Sequence, residues 1–364
     1  MQSYIPYLAA RWCQKQASRL AKQLPGIRKA EDIEYVHRAR VASRRLRAAF
    51  DLFVDWPSPP EQKRWRKHIR RVGRSLGAAR DRDVQLLFLC DRWPEIDSCS
   101  VRVGLSHLIL RWEAQREVLQ KEVVRTVDRL EQSGVLQEIQ KRCVRILKKN
   151  AFSEEELRRK TLWEEAVRQV QEQMEAVWSF APCLDDPEDA ERHHAMRIAV
   201  KHLRYTLEIL TPVLGKEIHS TIEDLQTFQT LMGQVHDCDV WQAQLADLQN
   251  SGLDEDFVGG RRKQKKKRLP RVWGRVEAAI RYLQENRSLA RRQFFEEAAA
   301  HWRRRLQAEM GDRLEALVQK ASLRSDVGEQ ERLAGPGDIP KTTGPFHLER
   351  SLRRDSVHQY KIVH

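Results

Sequence analysis

Residues 37–53 read HRARVASRRLRAAFDLF, and residues 194–210 read HAMRIAVKHLRYTLEIL. Aligned, the two stretches pair His37 with His194, Arg40 with Arg197, Arg44 with Lys201, Leu46 with Leu203, Arg47 with Arg204 and Asp51 with Glu208. A second match follows each: LGAARDRDV at 76–84 aligns with MGQVHDCDV at 232–240. The first pair is offset by 157 residues and the second by 156, a difference that one intervening turn absorbs. Two matches in one order at nearly one offset predict a duplicated helical unit.

Spacing gives the repeated stretch its two faces. His37, Arg40, Arg44 and Arg47 recur at steps of three and four, so on a helix they fall within a sector of about 80°. Leu46, Ala49, Phe50 and Phe53 point elsewhere and form a core stripe. The second copy repeats the arrangement with His194, Arg197, Lys201 and Arg204. A guanidinium presents a planar fork of donors that meets two oxygens of one phosphate at once, which makes such a stripe suited to anions.

Outward from the repeats, the chain predicts helix almost throughout. Gly and Pro together make up 29 of 364 residues, and the chain is rich in good helix formers. Helices are expected over 1–24 (ended by Leu24-Pro25-Gly26), 31–54, 61–76 (ended at Gly77), 84–92, 103–131, 135–149, 154–180, 190–210, 216–232, 238–249 and 272–320. Asp81 or Asp83 is expected to cap the helix at 84–92. The turn DWPSPP at 55–60 and the stretch APCLDDPED at 181–189 read as breaks. The fold class is therefore all-α: a domain over 1–320, with a first repeat over 1–180 and a second over 190–320, and a disordered tail over 321–364, where Gly, Pro and charge outnumber apolar residues.

Charge narrows the class of partner. Lys and Arg exceed Asp and Glu by 14, with a pI near 9.7, so the chain attracts polyanions. The excess is uneven. Over 38–84 there are 14 basic and 5 acidic residues, and over 195–240 there are 4 basic and 6 acidic. The helix after the first stripe adds Lys63, Arg66, Lys67, Arg70 and Arg74 at steps of three or four, so the first copy is expected to hold most of the anion. The run RRKQKKKRLPR at 261–271 adds eight positive charges and offers either a further wall of the site or a nucleic-acid contact. Only Trp273 lies near that run, which leaves little for base stacking.

Several chemistries find no support. No run of about 18 apolar residues suggests a membrane span, and the N-terminus lacks a secretory pattern. The six cysteines, at 13, 90, 99, 143, 183 and 238, show no CxxC spacing and read as reduced thiols of a cytoplasmic protein. No HExxH or Cys/His cluster predicts a metal, and no cofactor is expected. The spacings Asp81/Asp83 and Asp237/Asp239 admit Mg²⁺, but helix capping or pairing with the nearby arginines is the preferred reading. A phosphotransferase using His37 or His194 as nucleophile lacks any visible base and orienting group. No catalytic residue is assigned.

The ordered pair of motifs, a His followed by Arg, Arg or Lys, and Arg on one helix, and then an L-G-x-x-R-D-x-D-V segment, resembles the CHAD family, the conserved histidine α-helical domain. The resemblance covers about residues 1–320. It implies two four-helix-bundle-like halves related by a pseudo-two-fold around a basic central groove. It also implies binding of inorganic polyphosphate there without catalysis. The expected location is cytoplasmic, with association to polyphosphate or storage granules. On this basis the ligand contacts are expected from His37, Arg40, Arg44, Arg47, Lys63, Arg66, Lys67, Arg70, Arg74, His194, Arg197, Lys201 and Arg204. Family members are often fused to a triphosphate-hydrolysing tunnel domain, and this chain is expected to stand alone. It departs from the family pattern at His236, where Arg or Asn is usual, and at Met232, where Leu is usual. Nucleic acid is the alternative partner, through 261–271.

Overall fold

The repeat unit begins on a helix whose start is fixed by one carboxylate. Asp32 caps helix α2 (Ile33–Leu52) by accepting from the Glu34 N–H at 2.8 Å, which satisfies a donor the helix itself leaves open. Helix α8 (Ala190–Leu214) starts the same way, with Asp189 accepting from the Arg192 N–H at 3.1 Å. It ends at Gly215, whose φ of +90° is open to glycine at little cost. The structure, a computed structural model, describes residues 4–53, 56–149, 152–157, 160–251 and 269–310 together with 312, 313 and 316, all inside one unit spanning Met1–Ser322.

Around these two helices the described chain is helical, with no strand among the described residues. Helix α1 (Tyr4–Lys29) precedes α2, and α3 (Pro59–Arg92), α4 (Cys99–Gln132) and α5 (Val135–Lys149) follow it. The short α6 (Glu154–Leu157) leads into α7 (Lys160–Trp178), which precedes α8. Helices α9 (His219–Ser251) and α10 (Leu269–His301) complete the set, and α10 runs on into a π-helical turn at Trp302–Gln307. Neighbours follow one order in both stretches: α1 packs on α2, α2 on α3 and α3 on α4, as α7 packs on α8, α8 on α9 and α9 on α10. The stretches meet where α2 touches α8 and where α4 packs on α10.

Two apolar clusters hold this together. The larger buries Leu46, Phe50, Trp65, Leu203, Phe228 and Trp302 among many others. The smaller joins α3, α4, α9 and α10 through Leu89, Trp112, Trp241 and Leu283, with the Trp112 and Trp241 ring centroids 5.1 Å apart. Of the break predicted at 55–60, residues 56–58 are non-helical while Pro59 and Pro60 open α3, and Gln62 turns its amide onto the carbonyls of Phe53 at 2.9 Å and Trp56 at 3.2 Å, closing the corner between α2 and α3.

Several predicted helix ends are corrected, and α8 continues past 210 to Leu214. Helix α3 runs straight through Gly77, so 61–76 and 84–92 are one helix, and Asp81 and Asp83 lie inside it and cap nothing. Helix α9 likewise passes through Gly233 and joins 216–232 with 238–249. Helix α1 continues through Pro25 and Gly26 to Lys29. At Gly26 the reason is close approach: a Cβ there would fall about 2.5 Å from the Tyr35 ring, so glycine lets α2 sit against α1. The tract 261–268 and the predicted tail 321–364 lie outside the described residues.

No helix among the described residues is long and apolar enough to cross a membrane. All six cysteines are unpaired, and Cys13, Cys143, Cys183 and Cys238 are buried.

Candidate functional site

Where α2 meets α8, the two cationic stripes face each other. Burial, then the charges of Arg197, Arg44 and Arg47, lowers the Lys201 ammonium from its ordinary value to about 8, with Asp51 opposing. Arg197 is lowered as well, by burial and by Arg44 and Arg40, against the pull of Asp237. Five cations, Arg40, Arg44, Arg47, Arg197 and Lys201, thus stand within electrostatic reach of one another across two helices from opposite halves of the chain. Like charges brought together in this way cost free energy unless an anion offsets them. Arg44, Arg47, Arg197 and Lys201 make no ion pair among the described residues. The Nε atoms of Arg44 and Arg197 are buried without a hydrogen-bond partner there.

The bed for the first stripe is a pair of glycines. On α3, Gly73 and Gly77 are four residues apart and lie under the arginines of α2. A Cβ at Gly77 would stand 2.5 Å from the Arg40 Nη1, and one at Gly73 would stand 3.9 Å from the Arg47 Nη1. Gly77 is therefore a helix-interior glycine that makes room for a guanidinium. A Cβ at its counterpart Gly233 would meet no atom within 4 Å, so the second half does not use its glycine this way.

The acidic motif divides its labour along similar lines in both stretches. The first carboxylate faces the motif arginine: Asp81 pairs with Arg40 at 3.6 Å, and Asp237 sits beside Arg197. The second ties helices together: Arg116 of α4 donates to Asp83 at 2.5 Å, and Arg291 of α10 donates to Asp239 at 2.5 Å. These carboxylates pair with arginines, one of the two structural roles expected of them. Among the described residues no three His, Cys, Asp or Glu side chains gather as a metal cluster.

The histidines differ between halves. His37 is half-buried and lies next to Arg80, and burial and then Arg80, Arg44 and Arg40 lower it against the pull of Glu34. His194 lies against His236, ring centroids 4.9 Å apart. Its neighbour His193 is buried, donates from its ring Nε2 to the Cys183 carbonyl at 2.8 Å and rests on Phe295, so it serves the core.

Not every expected ligand reaches the seam. Arg204 is 5% exposed, donates to Gln229 at 2.8 Å and to Glu208 at 2.6 Å, and lies over the Tyr205 ring. Glu208 also receives Arg45 of α2 at 3.2 Å, so it fastens α2 to α8 below the stripes. Arg66 is bound to Asp51 and to the Phe50 carbonyl. Lys63, Lys67, Arg70 and Arg74 are exposed and share the side of α3 that carries Gly77, which extends the cationic surface beyond the seam. Residues that sequence reasoning missed are Arg80 and His236, which face the two motif histidines, and Gly73 and Gly77. The signal for the first two was the alignment that places Arg80 opposite His236.

Fold and site together define an all-helical protein in which two similar helices bring cations to one shared seam. The chain belongs to the CHAD family, whose model, the CHAD domain, matches residues 11–246. Among solved structures it is similar to the crystal structure of the CHAD domain from the plant Ricinus communis, at 20% identity and a TM-score of 0.59, with 80% of this chain and 91% of that one covered. A second similar structure is PptA from Streptomyces chartreusis, at 15% identity and a TM-score of 0.47, covering 80% of this chain and 99% of that one. No curated protein matches the sequence.

Proposed function

We propose that the chain binds linear inorganic polyphosphate along the seam between α2 and α8 and holds it without cleaving it. The observation that carries the reading is the gathering of Arg40, Arg44, Arg47, Arg197 and Lys201 with so few opposing carboxylates. Asp81 and Asp237 stand at one end, and Asp51 is already taken up by Arg66. The extent of the site supports a chain-like ligand over a single phosphate: from His37 to Arg47 the α2 stripe runs about 15 Å at the usual helical rise. Membership in the CHAD family supports the choice of ligand. Holding without cleavage is supported by the company of His37, where Arg80, Arg44 and Arg40 outnumber the one carboxylate of Glu34, surroundings that suit holding an anion. A cytoplasmic location at polyphosphate or storage granules goes with this reading.

Calorimetric titration with long-chain polyphosphate tests it, with RNA and DNA as competitors at equal phosphate concentration. The reading expects saturable binding that nucleic acid displaces poorly, and no release of orthophosphate. Efficient displacement by RNA assigns the surface to nucleic acid, and steady orthophosphate release overturns the non-catalytic part.

A further inference from the structure

The two sides of the seam carry different kinds of charge. Alignment and structure place Lys201 opposite Arg44 and His236 in the position of Arg80. Beside its motif histidine the first half therefore sets a guanidinium, which stays charged at any accessible pH. The second half sets an imidazole at that place, and an ammonium where the first half has its middle arginine. Each half keeps one motif imidazole, His37 or His194. What differs is that the second half carries titratable groups at two positions where the first half carries permanent cations.

We infer that the second half of the seam is loaded with protons by the polyanion itself: binding draws protons onto Lys201 and the His194–His236 pair, so that affinity declines as pH rises while the arginines of the first half keep a residual hold. The inference rests on the reading of the seam as a polyanion site.

The surroundings of these groups from every side favour this behaviour. Lys201 faces Arg197 and His202 on its own helix and Arg44, Arg47 and Asp51 from α2. Asp51 is engaged by Arg66 of α3. From α7, Arg168 and Glu172 line a cavity of about 380 Å³ beside His202 and are paired with each other at 2.6 Å. His194 and His236 face Arg197, with Lys201 also near His194. From α9, Asp239 pulls the other way, but Arg291 of α10 already holds it. Asp237 is raised by burial and by Asp81, against the pull of Arg197 and Arg40. The free site is thus a place where added protons are unwelcome, and an anion laid along it reverses that balance.

The sign follows from linkage. A group whose value is higher in the bound state than in the free state adds affinity that is complete below its free value and is lost as pH climbs toward the bound one. For Lys201 that window opens near pH 8, its value in the free protein. If the anion restores an ordinary ammonium, affinity falls by up to about tenfold per pH unit above 8. For His194 and His236, both lowered in the free protein by burial first and then by cationic neighbours, the window opens below 6.5.

The test is calorimetry with long-chain polyphosphate, whose interior groups stay ionised over this range, in pairs of buffers of different ionisation heat at pH 6 and pH 9. The wild-type protein is expected to take up close to one proton at pH 9, and the double variant Lys201→Arg/His236→Arg is expected to take up much less and to bind more tightly than wild type at that pH. Circular dichroism establishes that the variant folds. Binding with no buffer dependence in the wild type overturns the proton coupling and leaves the site reading intact. At pH 6, where the imidazole window lies, the variant is again expected to take up less; equal uptake at pH 9 overturns the assignment to Lys201, and equal uptake at pH 6 overturns that to His236. Absence of binding at every pH overturns both the coupling and the site.

Discussion

Replacing Gly77 by Ala separates what holds the fold from what holds the ligand. Alanine in a helix interior is favoured over glycine by about 1 kcal/mol, so on propensity alone the variant gains stability. The added Cβ would stand 2.5 Å from the Arg40 Nη1, a contact that cannot persist. The obstructing atom is the far end of a flexible, partly exposed side chain, so the guanidinium moves and the helix does not. Arg40 then leaves the bed that aims it into the seam and weakens its pairing with Asp81. A hydrogen bond to a charged group is worth about 1.5–3 kcal/mol, so losing Arg40's share corresponds to a drop of about 10- to 100-fold in polyphosphate affinity. Gly233→Ala is the matched control: nothing lies within 4 Å of that Cβ position, so it gains the same propensity without loss of binding. Chemical denaturation and calorimetry read the two quantities. Gly77→Ala is expected to unfold at equal or higher denaturant and bind weakly, and in the Arg40→Ala background it is expected to cost no further affinity. If Gly77→Ala binds as wild type does, or if it and Gly233→Ala weaken binding equally, the glycine bed has been misread.

Other consequences follow from the ion pairs. Glu208→Gln removes the carboxylate shared by Arg45 and the buried Arg204, and leaving a buried charge without its partner is expected to cost about 3–5 kcal/mol in denaturation experiments. Asp83→Asn and Asp239→Asn each weaken a tie between adjacent helices, to Arg116 and Arg291. Asp83 has a side chain only 4% exposed against 30% for Asp239, so thermal melting is expected to show the larger loss for Asp83→Asn. Phe50→Ala empties space beside Trp65, whose ring centroid is 6.0 Å away, and is expected to destabilise by about 3–5 kcal/mol without changing the affinity of the protein that remains folded.

Periodicity made the all-helical class and the start of α8 legible, but the expected end of that helix at 210 gives way to four more helical residues, which Gly215 stops. Gly77 and Gly233 misled for a physical reason. A glycine after a helical run reads as a stop, yet only Gly134 and Gly215 take positive φ among the described glycines, while Gly77 stays helical to accommodate Arg40. The stripes were legible from spacing, but the fate of each arginine was not. Arg47 and Arg204 occupy the same place in the repeat, and each has a carboxylate four residues on. Arg204 takes Glu208, whereas Asp51 goes to Arg66 from the next helix and leaves Arg47 exposed. That choice is made by packing between helices, which no local pattern encodes.

The most direct test of the seam is the salt dependence of polyphosphate binding by Arg40→Ala/Arg44→Ala/Arg47→Ala beside the wild type. By analogy with single-stranded nucleic acid, each phosphate contact contributes about 0.7 to the slope of log affinity against log salt, so the triple variant is expected to lose about 2 from that slope. Its helicity should be unchanged, because all three substitutions place good helix formers away from the core face. A folded triple variant with the wild-type slope and affinity would contradict the account.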